Sequence, residues 1–313
     1  MDYLILLAGI IVLIFGGDFL VKGAIAISLK FNISPLVIGM TVVSFATSAP
    51  ELLVSVKAAL SGHTDITLGN VIGSNIANIG LVLGCTTLIF TLPVLKQSWK
   101  IDWPVMMGTY ALFFVCFFFD KKLGYIDGTV FLTLLGLFLF FLIRKSRKEH
   151  IPVDLSDIKS EEGKSFGFAL GYLSMGAVAL YFGSEWLVTS ASSIASNLGV
   201  TERIISLTMV AVGTSIPELV ASLVAAYKKE GAMSLGNLIG SNIFNILAVL
   251  GTTALIQPIA LGDEQLILND FPWMLAFSTI IFPMMFIGRK SKITRLEGLI
   301  LLVGYFTYIF LLF

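Results

Sequence analysis

The sequence predicts an all-α membrane protein of ten transmembrane helices, arranged as two inverted five-helix repeats. Three observations carry that prediction. Of 313 residues, 57% are hydrophobic and only 13% charged, with a mean hydropathy of +0.94, whereas soluble domains run at about 45–50% apolar and about 25% charged. Apolar runs long enough to cross a bilayer recur from end to end. The chain also matches itself at a shift of 167 residues: 34–89 aligns with 201–256 without a gap, close to half of the positions being identical. An outer-membrane barrel would instead show alternating segments of roughly ten residues, and none is present.

In chain order the spans read 3–28, 35–60, 66–92, 103–119, 125–143, 166–190, 202–227, 233–258, 270–287 and 295–313. No basic region and no small-residue cleavage site precede the first apolar run, so it is expected to remain as a helix. The second and seventh spans carry the duplicated segments TSAPELLVS (47–55) and TSIPELVAS (214–222). The third and eighth carry LGNVIGSNIANI (68–79) and LGNLIGSNIFNI (235–246). The resemblance extends to the first and sixth spans, where GGDFLV (16–21) faces GSEWLV (183–188), and to the fifth and tenth, where IDG (126–128) resembles LEG (296–298). Asp127 and Glu297 start their helices, where a carboxylate suits the dipole, and are read as structural. The longest polar connection follows the fifth span. The chain therefore divides into a first repeat, 1–143 with its motif at 41–84, a linker at 144–165, and a second repeat, 166–313 with its motif at 208–251.

Lysine and arginine counts set the orientation. One side receives Lys30, Lys96, Lys100, Arg144, Lys145, Arg147, Lys148, Lys159, Lys164, Lys228, Lys229, Arg289, Lys290, Lys292 and Arg295; the other receives Lys57, Lys121, Lys122 and Arg203. Fifteen against four places the linker in the cytoplasm and both termini outside, in a plasma or inner membrane. With five spans per repeat, the second copy enters from the opposite side, a plan that puts a binding site near the midplane where the copies meet.

Several function classes are excluded. Net charge is zero, so no basic surface invites nucleic acid. Cys85 and Cys116 lie apart in apolar runs and read as packing residues. His63 and His150 sit in polar connections, too few and too far apart for a zinc site. With no nucleophile paired to a base, an enzyme is not expected.

The polar residues inside the spans carry the chemistry. Glu51 and Glu218 sit mid-span in apolar surroundings, with no Lys or Arg at comparable depth. A carboxylate there costs several kcal/mol unless paired, protonated or bound to a cation. Thr47 and Ser48 precede Glu51 by four and three residues and share its helical face, with Ser44 a turn further back. Thr214, Ser215 and Glu218 repeat the pattern, and Ala211 replaces Ser44. Pro50 and Pro217 remove a backbone donor and free carbonyls near Ala46 and Gly213. Ser74 with Asn78, and Ser241 with Asn245, supply neutral ligands four residues apart. Gly69, Gly73, Gly236 and Gly240 read as packing devices. Such an all-oxygen set suits hard cations such as Ca²⁺ and Na⁺. Two ionised glutamates are neutralised by one Ca²⁺, two Na⁺ or two protons. Asp18 and Glu185 are repeat-related acids that stand near the access path, at an interface, or at a helix break beside Gly16–Gly17 and Gly183. Asn70, Asn75, Asn237 and Asn242 receive no role.

The paired TSxPE and GNxIGSNIxN segments resemble the two α-repeats of the calcium/cation antiporter superfamily, the sodium/calcium exchangers, in their compact prokaryotic form. The resemblance covers essentially the whole chain. It implies Glu51 and Glu218 as the main Ca²⁺ ligands, with Thr47, Ser48, Thr214 and Ser215 completing Ca²⁺ and Na⁺ sites. It implies the carbonyls of Ser44 and Ala211 at flanking Na⁺ sites, and Ser74, Asn78, Ser241 and Asn245 lining the cluster. It further implies alternating access, the first and sixth helices sliding across an eight-helix core. Similar exchangers often carry an aspartate at one of the positions held here by Asn78 and Asn245, so this third titratable group is missing and the resemblance does not fix the ion stoichiometry. The expectation is a Ca²⁺/Na⁺ antiporter, the alternatives being a Ca²⁺/H⁺ or a K⁺-assisted Na⁺/Ca²⁺ exchanger. Its expected partners are Ca²⁺, Na⁺ and the lipid bilayer, for a monomer that needs no cofactor.

Overall fold

A computed structural model describes residues 1–149, 165–198, 213–286 and 291–312. Its first half comprises α1 (Asp2–Phe31), α2 (Pro35–Thr47), α3 (Ala49–Leu60), α4 (Thr64–Ile89), α5 (Trp103–Asp120) and α6 (Tyr125–Glu149). The second half comprises α7 (Phe166–Asn197), α8 (Ile216–Tyr227), α9 (Gly231–Ile256), α10 (Leu266–Met284) and α11 (Arg295–Leu311). Among the described residues, α1, α4, α6, α7, α9 and α10 are each long and apolar enough to cross a bilayer, and α2 with α3 forms one further span bent by 42°. Helices α5, α8 and α11 stand at the places of the other three expected spans. The early part of the seventh expected span, including Ala211 and Arg203, lies outside the described residues.

The inversion is visible where α1 meets α7. Gly9 packs on Gly183 and Leu187, Gly16 on Ala179 and Leu180, and Gly23 on Ala169 and Leu173, so the partner number falls as the first rises. These repeat-related helices therefore run antiparallel. The contact depends on small residues that let backbones approach. A methyl on Gly23 would stand 2.7 Å from the Leu173 nitrogen and 2.8 Å from the Ala169 carbonyl oxygen. At the two ends the Ser193 hydroxyl donates to Asp2 at 2.6 Å, and Phe31 meets Phe166 edge-on.

Helices α4 and α9 are the centre of the molecule. Their apolar windows are 72% and 78% buried, against 22–33% for α1, α6 and α7, which present much of their surface outward. Two short antiparallel ladders tie the halves together at opposite ends. Strand β1 (Leu92–Pro93) pairs with β4 (Lys292–Ile293), and β2 (Lys122–Leu123) pairs with β3 (Ile259–Ala260).

Helix starts follow their sequence signals. Asp127 accepts from the Gly124 N–H at 2.8 Å, and Glu297 forms a capping box with Thr294. Helix α6 continues to Glu149, past the end of the expected span at 143. Residues 144–149 (RKSRKE) are good helix formers, and their cations suit the C-terminal end of the dipole. The rest of the expected linker, with His150, lies outside the described residues. Cys85 and Cys116 are only partly buried, so they border the packed core and do not fill it.

Of the three places open to Asp18, the structure removes the helix break and leaves it at an interface. Helix α1 runs unbroken through Gly16, Gly17 and Asp18. Asp18 caps no break. It is held by Lys22 and Lys228, each at 2.7 Å.

Candidate cation-binding site

Backbone irregularity places the functional side chains. Pro50 and Pro217 sit in the first turn of α3 and α8, where a missing N–H costs nothing to the new helix. Just ahead of them Ser48 stands at φ −86°, ψ 4° and Ser215 at φ −88°, ψ 0°, and in the first half this break ends α2 at Thr47. Glu51 and Glu218 therefore occupy first turns, where N–H groups and the dipole favour negative charge. A second irregularity faces them. In α4 a π-helical stretch begins at Asn78 (Asn78–Leu83), and in α9 one begins at Asn245 (Asn245–Leu250). Such bulges redirect side chains and recur at functional sites.

The side chains converge from both halves. Glu51 and Glu218 have no solvent exposure, nor do Ser74, Ser241, Asn78 or Asn245. The two carboxylates are electrostatic neighbours. The Ser48 hydroxyl donates to Glu218 Oε1 at 3.2 Å, and the hydroxyls of Thr47 and Ser241 face the same carboxylate. The Ser74 hydroxyl faces Glu51 without closing a well-formed hydrogen bond. Thr47 Oγ1 lies 3.4 Å from Ser241 Oγ, and Ser74 Oγ lies 3.1 Å from Thr214 Oγ1. All sequence-predicted site residues within the described range thus lie in one polar cluster where the repeats cross. Ala211 falls outside that range.

Several oxygens in this cluster have no donor. Both oxygens of Glu51, Oε2 of Glu218, Oδ1 of Asn78 and of Asn245, and Oγ of Ser215 are buried and unpartnered. Among the described residues no Lys or Arg reaches either glutamate. Buried acceptors without donors cost about 1–3 kcal/mol each, more when charged. Their concentration here supplies a charge-bearing oxygen cage of the kind a hard cation satisfies. Among the described residues no three His, Cys, Asp or Glu side chains are grouped so as to hold a metal ion; the acids of this cluster are two.

Some predicted residues are already engaged. The Ser44 hydroxyl is within reach of the Gly39 carbonyl at 2.8 Å and the Asn237 carbonyl at 2.9 Å. The Ser44 carbonyl accepts from the Ser48 N–H at 2.9 Å and the Thr47 hydroxyl at 3.4 Å.

The asparagines left without a role are the frame of the site. Asn70 Nδ2 reaches Ser55 Oγ at 3.0 Å and the Glu51 carbonyl at 3.2 Å, and Asn237 Nδ2 reaches Ser222 Oγ at 3.1 Å. Their amide oxygens accept from Thr214 at 3.5 Å and from Thr47 at 3.3 Å. Asn75 and Asn242 cross on the pseudo-two-fold axis. Each amide donates to the other's backbone carbonyl, at 3.4 and 3.3 Å. Asn78 donates to Asn242 Oδ1 at 3.1 Å and Asn245 to Asn75 Oδ1 at 3.0 Å. These last bonds aim the free Oδ1 atoms of Asn78 and Asn245 away from the frame. Ser55 and Ser222 escaped the sequence reading, although each stands four residues after a glutamate in both copies.

A multi-pass helical membrane protein with duplicated acids and neutral oxygen ligands at its centre has the make-up of a cation transporter. The comparisons narrow the class. The family model described as sodium/calcium exchanger protein matches residues 1–144 and 168–313. The chain belongs to that family, whose members exchange Ca²⁺ and other cations by antiport. It is 38% identical to CaxA of Alkalimonas amylolytica over 312 residues, covering 98% of this chain and 97% of the relative. It is 33% identical to the sodium/calcium exchanger MaX1 of Methanosarcina acetivorans, covering 100% and 98%. A solved structure of the sodium-calcium exchanger NCX_Mj superposes with a TM-score of 0.80 at 33% identity, covering 99% of both chains.

Proposed function

We propose that the chain exchanges Ca²⁺ for Na⁺ across a plasma or inner membrane, binding both at the Glu51–Glu218 cluster and exposing it to the two sides in turn. The observation that carries this reading is the set of unpartnered buried oxygens on Glu51, Glu218, Asn78, Asn245 and Ser215. One Ca²⁺ balances the two carboxylates, and so do two Na⁺, so either load discharges the same site. An empty or half-filled cluster retains buried negative charge, which opposes passage across the bilayer and enforces exchange. Thr47, Ser48, Thr214, Ser215, Ser74 and Ser241 supply hydroxyl ligands, and the π-helical turns present the asparagine oxygens. Carbonyls freed at the proline breaks, with those of Ser44 and Ala211, complete flanking Na⁺ sites. The chain acts as a monomer in lipid, with both termini outside and the linker at 144–165 in the cytoplasm. Its two units are the repeats at 1–143 and 166–313. The protein performs no covalent chemistry and needs no cofactor.

The test is flux into proteoliposomes. Ca²⁺ uptake driven by an outward Na⁺ gradient, and abolished when Na⁺ is equal on both sides, supports the reading. Uptake that ignores Na⁺ and follows a proton gradient replaces it with Ca²⁺/H⁺ exchange. Dependence on K⁺ together with Na⁺ replaces it with K⁺-assisted exchange. Ca²⁺ conduction without any counter-ion makes the protein a channel.

A further inference from the structure

The inverted repeats are symmetric in sequence at the cation cluster, yet the structure is not symmetric around it. Helix α1 lies along α8: a methyl on Gly17 would meet Val220 Cγ1 at 2.8 Å and Val224 Cγ2 at 3.0 Å. The repeat-related pair is α7 with α3, and these two make next to no contact. Leu53, the counterpart of Val220 in α3, is 58% exposed, while Val220 is half-buried. The cluster carries the same imbalance. Ser48 bonds to Glu218, but its counterpart Ser215 leaves Glu51 unbonded. Thr47 is fully buried, and its counterpart Thr214 is partly exposed. Among the described residues, the packing is closed on the Lys228 side and looser on the other.

An ion cluster spans the closed side. Asp18 of α1 accepts from Lys22, one turn on, and from Lys228, just past the end of α8, each at 2.7 Å. The three side chains keep only 25–33% of their exposure. At the shift of 167 the equivalents are Glu185, Thr189 and Ser61, which contain no cation. Among the described residues no cation pairs with Glu185. The asymmetry is written into the sequence.

We infer that Asp18, Lys22 and Lys228 form a latch between α1 and α8 that holds the Lys228 side closed and biases the empty protein to rest with the cation cluster facing the opposite side. By the charge count that resting state faces outward. This inference rests on the proposed exchange at the Glu51–Glu218 cluster and adds the residues that set its conformational bias. Opening toward the cytoplasm requires Asp18 to part from Lys228, while Lys22 travels with Asp18 on the same helix and keeps the carboxylate paired during the movement. The latch is partly solvated, so its contribution is on the scale of a surface charge network.

Distance measurement between spin labels tests this directly. Lys30, at the end of α1, and Lys96, in the connection between β1 and α5, are both exposed and serve as labelling sites after Cys85 and Cys116 are replaced. In lipid and without Ca²⁺ or Na⁺, the parent should give one dominant distance. Asp18→Asn and Lys228→Met should each raise a second population by roughly fivefold, the response to losing such a network. Glu185→Gln should leave the distribution alone. The exchanged pair Asp18→Lys with Lys228→Asp should return the parent distribution, which separates a latch from a merely damaged interface. A parent-like distribution in either single variant overturns the inference, and so does an exchanged pair that stays shifted. Because no transported ion is present, the outcome is independent of whether flux couples to Na⁺ or to protons.

Discussion

Replacing Asn75 with alanine should expose how much of the structure hangs on the crossing point of the repeats. The substitution deletes the bond from Asn75 Nδ2 to the Asn242 carbonyl, which at 3.4 Å is long, and the acceptor of Asn245 Nδ2, which at 3.0 Å is well formed. The reciprocal bond from Asn242 to the Asn75 carbonyl survives, because it uses backbone. An interhelical hydrogen bond within a membrane is worth about 0.6 kcal/mol on average, rising to about 1.7. The two losses then come to roughly 1–2 kcal/mol. A further 1–3 kcal/mol follows from the orphaned Asn245 amide, which has no exposure. The total is about 2–5 kcal/mol. Asn242→Ala removes the mirror-image set, the amide bond to the Asn75 carbonyl at 3.3 Å and the acceptor of Asn78 Nδ2 at 3.1 Å. The two variants should therefore lose thermal stability equally in detergent, by roughly 3–8 °C. A shift below about 2 °C in either, or a large inequality between them, would refute the view that these amides form a symmetric pivot.

Three other outcomes follow from the same geometry. Glu51→Gln should abolish Ca²⁺-driven flux while leaving the melting temperature of the ion-free protein unchanged or higher, since both oxygens of Glu51 lack partners in the fold; a large loss of ion-free stability would count against a ligand role. Asn78→Asp adds a third acid to the cluster and should change the number of charges moved per Ca²⁺, measured as the reversal potential of flux; an unchanged value would remove Asn78 from the ion path. Gly23→Leu should separate α1 from α7, because backbone atoms of Leu173 and Ala169 already occupy the space, and should cost about 1–3 kcal/mol in stability; normal stability with normal flux would contradict the close packing.

What could be read in advance divides along physical lines. Spans and their repeat follow from hydrophobic runs and from a shift that preserves Glu51, Thr47 and Ser48 as Glu218, Thr214 and Ser215. Spacing set each glutamate beside the Thr-Ser pair of its own copy, but in the fold the hydroxyls of Thr47 and Ser48 turn to Glu218 of the other half. Contacts between elements carry no such local mark. Asn75 meets Asn242 across 167 positions, and Asp18 meets Lys228 across 210, which no periodicity records. The π-helical turns at Asn78 and Asn245 were equally invisible, because a single extra residue in a turn barely disturbs a 3.6-residue pattern. Ser55 and Ser222 could have been found, since both copies keep a serine four residues after the glutamate. A serine in a helix can equally bond its own backbone, so the spacing alone does not mark these two as supports of the site.

The two small ladders bear on how the chain is made. Leu92–Pro93 finds its partner only at Lys292–Ile293, and Lys122–Leu123 only at Ile259–Ala260. A ribosome delivers the earlier strand of each pair long before the later one exists. The leading five spans must therefore wait in the lipid with open strand edges until the trailing spans arrive. Neither half is finished by itself, and a chain cut between them would need its two fragments in the same bilayer before either seam could close.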